Sequence, residues 1–98
     1  MDFKVIWSPS ARLDLKEIVS YIAEDNAEIA QRFGMSLIDA TKSLASFPGK
    51  GRVVPELGSQ EIREVIFKPY RIIYRVKEPE NLIEVVRVWH AARGTPEL

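Results

Sequence analysis

Few side chains in this sequence can do acid–base chemistry near neutral pH. The chain has one histidine, His90, and no cysteine. That removes thiolate nucleophiles, disulfides and thiolate metal sites, and one histidine makes a zinc site improbable. No metal or cofactor is expected. Gly49 and Gly51 lead into no Lys-Ser or Lys-Thr at a helix start, so they do not form a phosphate-binding loop. What remains is His90, the loop carboxylate Glu56, and arginines in strand-like runs: Arg63, Arg71 and Arg75, with Arg93 after the last run. A guanidinium's planar fork suits carboxylate or phosphate oxygens. Each residue also has a plainer reading. His90 can be a strand-end histidine that only hydrogen-bonds. Arg71 can be half of a structural ion pair. Glu56 can be a solvated loop carboxylate. Arg75 is expected to pair across strands with Glu84.

The elements that would position these groups follow from local signals. Phe3–Trp7 reads as a short strand. Ser8 is a good helix N-cap and Pro9 suits the first helical position. Ala11, Leu15, Ile18 and Ile22 recur at helical spacing, predicting a helix from about Ser10 to Glu24. Asn26 caps a second helix with the apolar stripe Ile29, Phe33, Leu37, Ala40 and Leu44, which stops before Pro48-Gly49. The short break between the two makes them an antiparallel hairpin. The segment from Pro48 to Gln60 is a loop in which Val53-Val54 can add a short strand. Glu61–Phe67, Tyr70–Lys77 and Leu82–His90 are three strand-like runs separated by turns. Short connections favour an antiparallel meander.

The expected fold is therefore α+β, β-α-α-β-β-β, with the helical hairpin on one face of a small, twisted, mainly antiparallel sheet. A symmetric turn at Glu78–Asn81 sets Arg71 opposite Val88, Ile73 opposite Val86 and Arg75 opposite Glu84. One face then carries Tyr70, Ile72, Tyr74, Val76, Ile83, Val85 and Trp89 and should meet the helices, with Arg87 its awkward member. The other carries Arg71, Ile73, Arg75, Glu84, Val86, Val88 and His90 and stays free. A one-residue slip would reassign these faces.

At 98 residues the chain is sized for one domain, 1–98, with a thin core. Fourteen basic residues balance fourteen acidic ones, whereas broad nucleic-acid grip needs a positive excess. The absence of cysteine and of a signal-like start makes the cytoplasm the expected location, and no apolar run is long enough for a membrane. The tail from Gly94 to Leu98 is expected to be mobile.

In order along the chain, Ile6-Trp7-Ser8-Pro9-Ser10-Ala11 with Asp14-Leu15, Phe47-Pro48, Gly51-Arg52, Val54-Pro55-Glu56-Leu57, Ile62-Arg63-Glu64, Tyr70-Arg71-Ile72-Ile73-Tyr74-Arg75-Val76 and Val88-Trp89-His90 with Arg93 resemble the RelE/ParE toxin superfamily. The resemblance is greater to its ParE and plasmid-stabilisation branch. It implies the toxin of a type II toxin–antitoxin pair, with a cognate antitoxin as partner in a hetero-oligomer. In the ParE branch the implied target is DNA gyrase, bound through surface residues such as Arg63, Arg75 and Arg93, with no catalytic group. In the RelE branch the implied activity is cleavage of messenger RNA on the ribosome, and its basic pattern has Ile62 and Glu64 here in place of lysines. A related nuclease branch resembles this chain at Glu56, Arg71 and His90, with Ala91 in place of a tyrosine. Those three would act as base, phosphate clamp and acid on a ribose 2′-OH. A module of the same fold that has lost toxicity is the third possibility.

Overall fold

The computed structural model describes residues 2–98. The order of elements is β1 (Lys4–Trp7), α1 (Pro9–Ala23), α2 (Ala27–Lys42), a 3₁₀ turn (Ser43–Ala45), β2 (Arg52–Val53), β3 (Ile62–Phe67), β4 (Tyr70–Lys77), a second 3₁₀ turn (Glu78–Glu80), β5 (Leu82–His90) and a third 3₁₀ turn (Ala91–Arg93). The strands form one sheet in the order β1-β5-β4-β3-β2. β1 runs parallel to β5, and the other neighbours are antiparallel. The helical hairpin carries the chain from β1 at one edge to β2 at the other, and β3 and β4 lead back to β5 beside β1. Two helices on a mainly antiparallel sheet is the α+β layout that the residue patterns predict.

The helix starts form as their cap residues dictate. Ser8 Oγ accepts the Ala11 N–H at 3.0 Å, with Pro9 opening α1. Asn26 Oδ1 accepts the Ile29 N–H at 3.0 Å. The inward face of α2 is rotated from the expected stripe: Ala30, Gly34, Leu37 and Thr41 are buried, and Ile29 is exposed. The reason is the closeness of the two helices. A Cβ on Gly34 would lie 3.0 Å from Val19 Cγ2, so small residues occupy the seam. Thr41 satisfies its hydroxyl on the Ile38 carbonyl within the helix.

The main core lies between hairpin and sheet, built on Ala11, Ile18, Leu37, Ile72, Val85 and Val88. It continues into Leu44, Tyr74 and Ile83. A satellite cluster of Val54, Ile73 and Trp89 sits on the other side of the sheet. Val54 is thus a buried plug just past β2, while the short strand itself falls on Arg52–Val53.

The β4–β5 register matches the symmetric expectation from Lys77↔Leu82 to Tyr74↔Val85, then shifts by one. Val86 is the extra residue, and the remaining pairs are Ile73↔Arg87, Ile72↔Val88, Arg71↔Trp89 and Tyr70↔His90. The shift falls where β1 ends at Trp7↔Val85 and the chain turns into α1. There the Ser8 N–H donates to the Val85 carbonyl and Ser8 Oγ to that of Val86. Every side chain beyond the bulge changes face. Val88 and His90 go to the helix side, and Trp89 goes to the open side, against expectation.

The tail does not run free. The Trp89 indole donates to the Gly94 carbonyl at 3.2 Å, Arg87 Nη1 donates to the Glu97 carbonyl at 2.8 Å, and Pro96 is buried. Among the described residues no helix is long and apolar enough to cross a membrane.

Candidate functional site

β3 and β4 present alternate residues to the open side of the sheet. On β3 these are Ile62, Glu64 and Ile66, a carboxylate set in an apolar row. On β4 they are Arg71, Ile73, Arg75 and Lys77. The Glu64 side chain has no exposed surface and is held by two arginines. Arg71 Nε donates to its Oε1 at 2.6 Å, and Arg52 Nε, from the neighbouring β2, donates to its Oε2 at 2.8 Å. The other end of Arg71 grips Glu56 bidentately, Nη1 to Oε2 at 2.9 Å and Nη2 to Oε1 at 2.7 Å. The four groups form a chain, Arg52–Glu64–Arg71–Glu56, with no net charge. It staples the Val54–Leu57 segment over the satellite cluster.

The electrostatics follow from the contacts. The paired hydrogen bonds from Arg71, helped by a backbone N–H, hold the Glu56 carboxyl down from its ordinary 4.5 to about 2. The two carboxylates in turn raise Arg71 above the ordinary arginine value, Glu56 more than Glu64.

His90 is elsewhere. Its ring stands edge-on to Tyr70, centroids 5.3 Å apart, and Tyr70 meets Phe33 of α2 at 5.9 Å. His90 Nδ1 accepts the Ala92 N–H at 3.1 Å, so the neutral ring carries its proton on Nε2. It lines a groove of about 530 Å³ between α1 and the end of the sheet, with Glu17, Tyr21, Phe33, Tyr70 and Arg93. Burial pushes the Tyr70 phenol up. The structure therefore brings Glu56 and Arg71 together but sets His90 on the opposite face. The expectation that Arg71 and His90 share the free face fails, because the Val86 bulge turns the histidine over.

The other arginines also differ from expectation. Arg63 lies on the helix side, donating to the Gly51 carbonyl at 3.1 Å and to Gln60 at 3.3 Å. Arg75 faces Glu84 in the register, yet Glu84 bonds Lys77 at 3.7 Å instead. Among the described residues Arg75 makes no ion pair, and its buried Nε has no hydrogen-bond partner. Arg93 lies over the Trp89 ring, 4.0 Å from its centroid, with Arg87 at 4.9 Å. Arg87, the awkward member of the apolar face, instead wraps round the edge of β5. It meets Asp14 bidentately at 2.8 and 3.0 Å.

Asp14 and Glu64 are the residues whose roles sequence reasoning missed. Both carried a readable signal: a carboxylate in an otherwise apolar stripe, between Ala11 and Ile18 on α1 and between Ile62 and Ile66 on β3. Such a residue must bring its own cations. Among the described residues no group of three or more His, Asp or Glu side chains is placed to hold a metal.

Comparison with known proteins gives a consistent result. Residues 5–94 match the model of the ParE toxin of the type II toxin–antitoxin system parDE. Toxin RelE2 of Caulobacter vibrioides is 38% identical over 91 residues, which are 92% of this chain and 97% of that protein. Among solved structures, one from the chromosomal ParDE system of P. aeruginosa superposes with a TM-score of 0.73 at 21% identity. It covers 90% of this chain and 95% of that one. One from the RelBE2 toxin–antitoxin complex of Mycobacterium tuberculosis gives 0.69 at 17% identity, covering 92% and 99%. At these identities the two structures speak for the fold.

Proposed function

Since the chain belongs to the ParE toxin family of type II toxin–antitoxin systems, we propose that it is a toxin that acts by protein contact on DNA gyrase. We further propose that a cognate antitoxin holds it in check. The observation that carries this reading is the state of Arg71. Each of its three guanidinium nitrogens is already bonded to a carboxylate. A phosphate clamp must offer free donors and uncompensated charge to the transition state, whereas three of the five N–H donors of Arg71 already serve carboxylates and its charge is met by two of them.

The other two members of the nuclease set argue the same way. A general base works best with a pKa near the operating pH. Glu56, at about 2, is a weak one, and its oxygens are occupied. His90 is the only histidine, and the sheet separates it from both. A protein-contact toxin needs none of these groups to be reactive. It needs a rigid surface, which the neutral four-residue chain supplies by fixing the loop to the sheet.

The antitoxin fits the helix-side groove. Tyr21 stands 74% exposed at its rim, and Phe33 and Tyr70 line it. An amphipathic partner segment would bury this aromatic surface. The hetero-oligomer is the resting form.

The test is a pair of assays on toxin freshly freed from its antitoxin. Gyrase supercoiling should stop, with cleaved DNA complexes accumulating, and messenger RNA on translating ribosomes should stay intact. His90→Ala should keep full gyrase inhibition. Ribosome-dependent cleavage that disappears in His90→Ala would overturn the reading in favour of a nuclease.

A further inference from the structure

The open side of the sheet is laid out in rows by its register. One row is Lys4–Leu82–Lys77, the next Ile6–Glu84–Arg75–Ile62, across β1, β5, β4 and β3. The following rows hold Ile73, Glu64, Arg71 and Trp89, which the Val54–Leu57 segment and the tail cover. The first two rows keep substantial exposure: Lys4 is exposed, and Ile6, Ile62, Arg75, Lys77, Leu82 and Glu84 are half-buried.

The charges of these rows are out of balance. Arg52, Arg71 and Arg87 each have a carboxylate partner. Lys4, Arg75 and Lys77 share Glu84 alone, and Glu84 is turned to Lys77. Glu78 and Glu80 lie in the turn beyond, and neither pairs with Arg75 among the described residues. With its Nε buried and no carboxylate on its guanidinium, Arg75 keeps its charge uncompensated at this face.

We infer that the Lys4–Arg75–Lys77 patch docks an extended, acidic segment of the toxin's protein target. Residues i and i+2 of an extended chain point the same way about 7 Å apart. Two carboxylates at that spacing match the Arg75 and Lys77 rows, and the aliphatic stems of those acidic side chains rest on Ile62 and Leu82 while the residues between them point away from the sheet. A phosphate backbone fits less well. It carries a charge at every residue and needs a wide positive field, which the zero net charge of the chain does not supply. The identity of the target rests on the gyrase reading, but the chemistry of the patch does not.

Two arms separate these. In the first, the full-length toxin labelled with ¹⁵N is titrated with a synthetic peptide alternating glutamate and valine, and separately with an oligouridylate. The peptide should shift the Arg75 Nε–H signal, and Arg75→Gln should weaken peptide binding at least tenfold with an unchanged denaturation midpoint. No shift with the peptide, or a shift with the oligonucleotide instead, overturns the inference. In the second, Arg75→Gln and Lys77→Gln toxins are compared with wild type in gyrase inhibition and in antitoxin binding. About tenfold weaker inhibition with unchanged antitoxin affinity is expected. Undiminished inhibition by both variants overturns the patch and leaves the gyrase reading standing. A wild-type toxin that binds the peptide but spares gyrase overturns the reading and leaves the patch.

Discussion

Removing one partner from a buried ion pair leaves a charge without solvation, at a cost of about 3–5 kcal/mol. Glu64, with no exposed side-chain surface and two guanidiniums on it, meets that condition. Glu64→Gln should destabilise the fold by about 3 kcal/mol, read as a lower urea midpoint at unchanged slope. Glu56 sits at the accessible end of the same chain and should announce itself by pH. Its carboxyl is depressed from 4.5 to about 2, so the folded form binds this proton less readily than the unfolded form. Its contribution is complete above about 4.5 and fades as pH falls towards 2. In Glu56→Gln the loss of stability over that window should be shallower than in wild type, and equal slopes would refute the pairing. Neither role is visible in residue types alone. Arg71 and Glu56 were recognisable as partners for something, but the sequence pattern does not say whether that partner is a phosphate or each other. Only the arrival of the Val54–Leu57 segment over β4 decides it.

Caps, turns and strand runs were legible from local signals because each rests on residues within a few positions. Ser8-Pro9, Asn26 and the Lys68-Pro69 turn all appear where their chemistry puts them. The β4–β5 register was legible only up to Tyr74↔Val85. The bulge that follows answers a contact distant in sequence: β1 stops at Trp7, and the cap residue Ser8 and Asp14 of α1 serve the rest of the β5 edge. Asp14 Oδ2 accepts the Val88 N–H at 2.9 Å while its carboxylate holds Arg87, so a helix side chain substitutes for the missing strand neighbour. Removing it should expose both an unpaired edge amide and a partly buried arginine. Asp14→Ala should cost about 3 kcal/mol and speed amide hydrogen exchange at Val88 ahead of Ile72. Unchanged exchange at Val88 would show that the clamp does not hold this end of β5. A second constraint of the same kind lies at Gly51. A Cβ there would overlap the Glu64 carbonyl and come 2.7 Å from the Tyr74 hydroxyl, which itself bonds the Gly51 N–H and the Pro48 carbonyl. Gly51→Ala should therefore cost about 2 kcal/mol, measured by thermal melting, although the residue is small and the loop looks permissive in the sequence.

At the scale of the whole molecule, net charge and its placement lead to different expectations. Zero net charge alone would suit a surface with no electrostatic preference. The structure instead neutralises Arg52, Arg71 and Arg87 internally and leaves Lys4, Arg75 and Lys77 with one carboxylate among them. A local field on a neutral body gives attraction at short range and little long-range steering. This separates the two ways such a toxin can work. A protein that grips single-stranded nucleic acid loses affinity with salt at a slope near −0.7 for each phosphate it neutralises. A path contacting four to six phosphates would give a slope of roughly −3 to −4 on that scale. Lys4, Arg75 and Lys77, opposed by Glu84, should give no more than about −1.5 for an oligouridylate, with weak binding throughout. Binding measured by fluorescence anisotropy between 50 and 200 mM salt distinguishes these outcomes. A slope steeper than −3 would mean that more cations meet phosphate than this patch offers, and the protein-contact mechanism would then lose its physical basis.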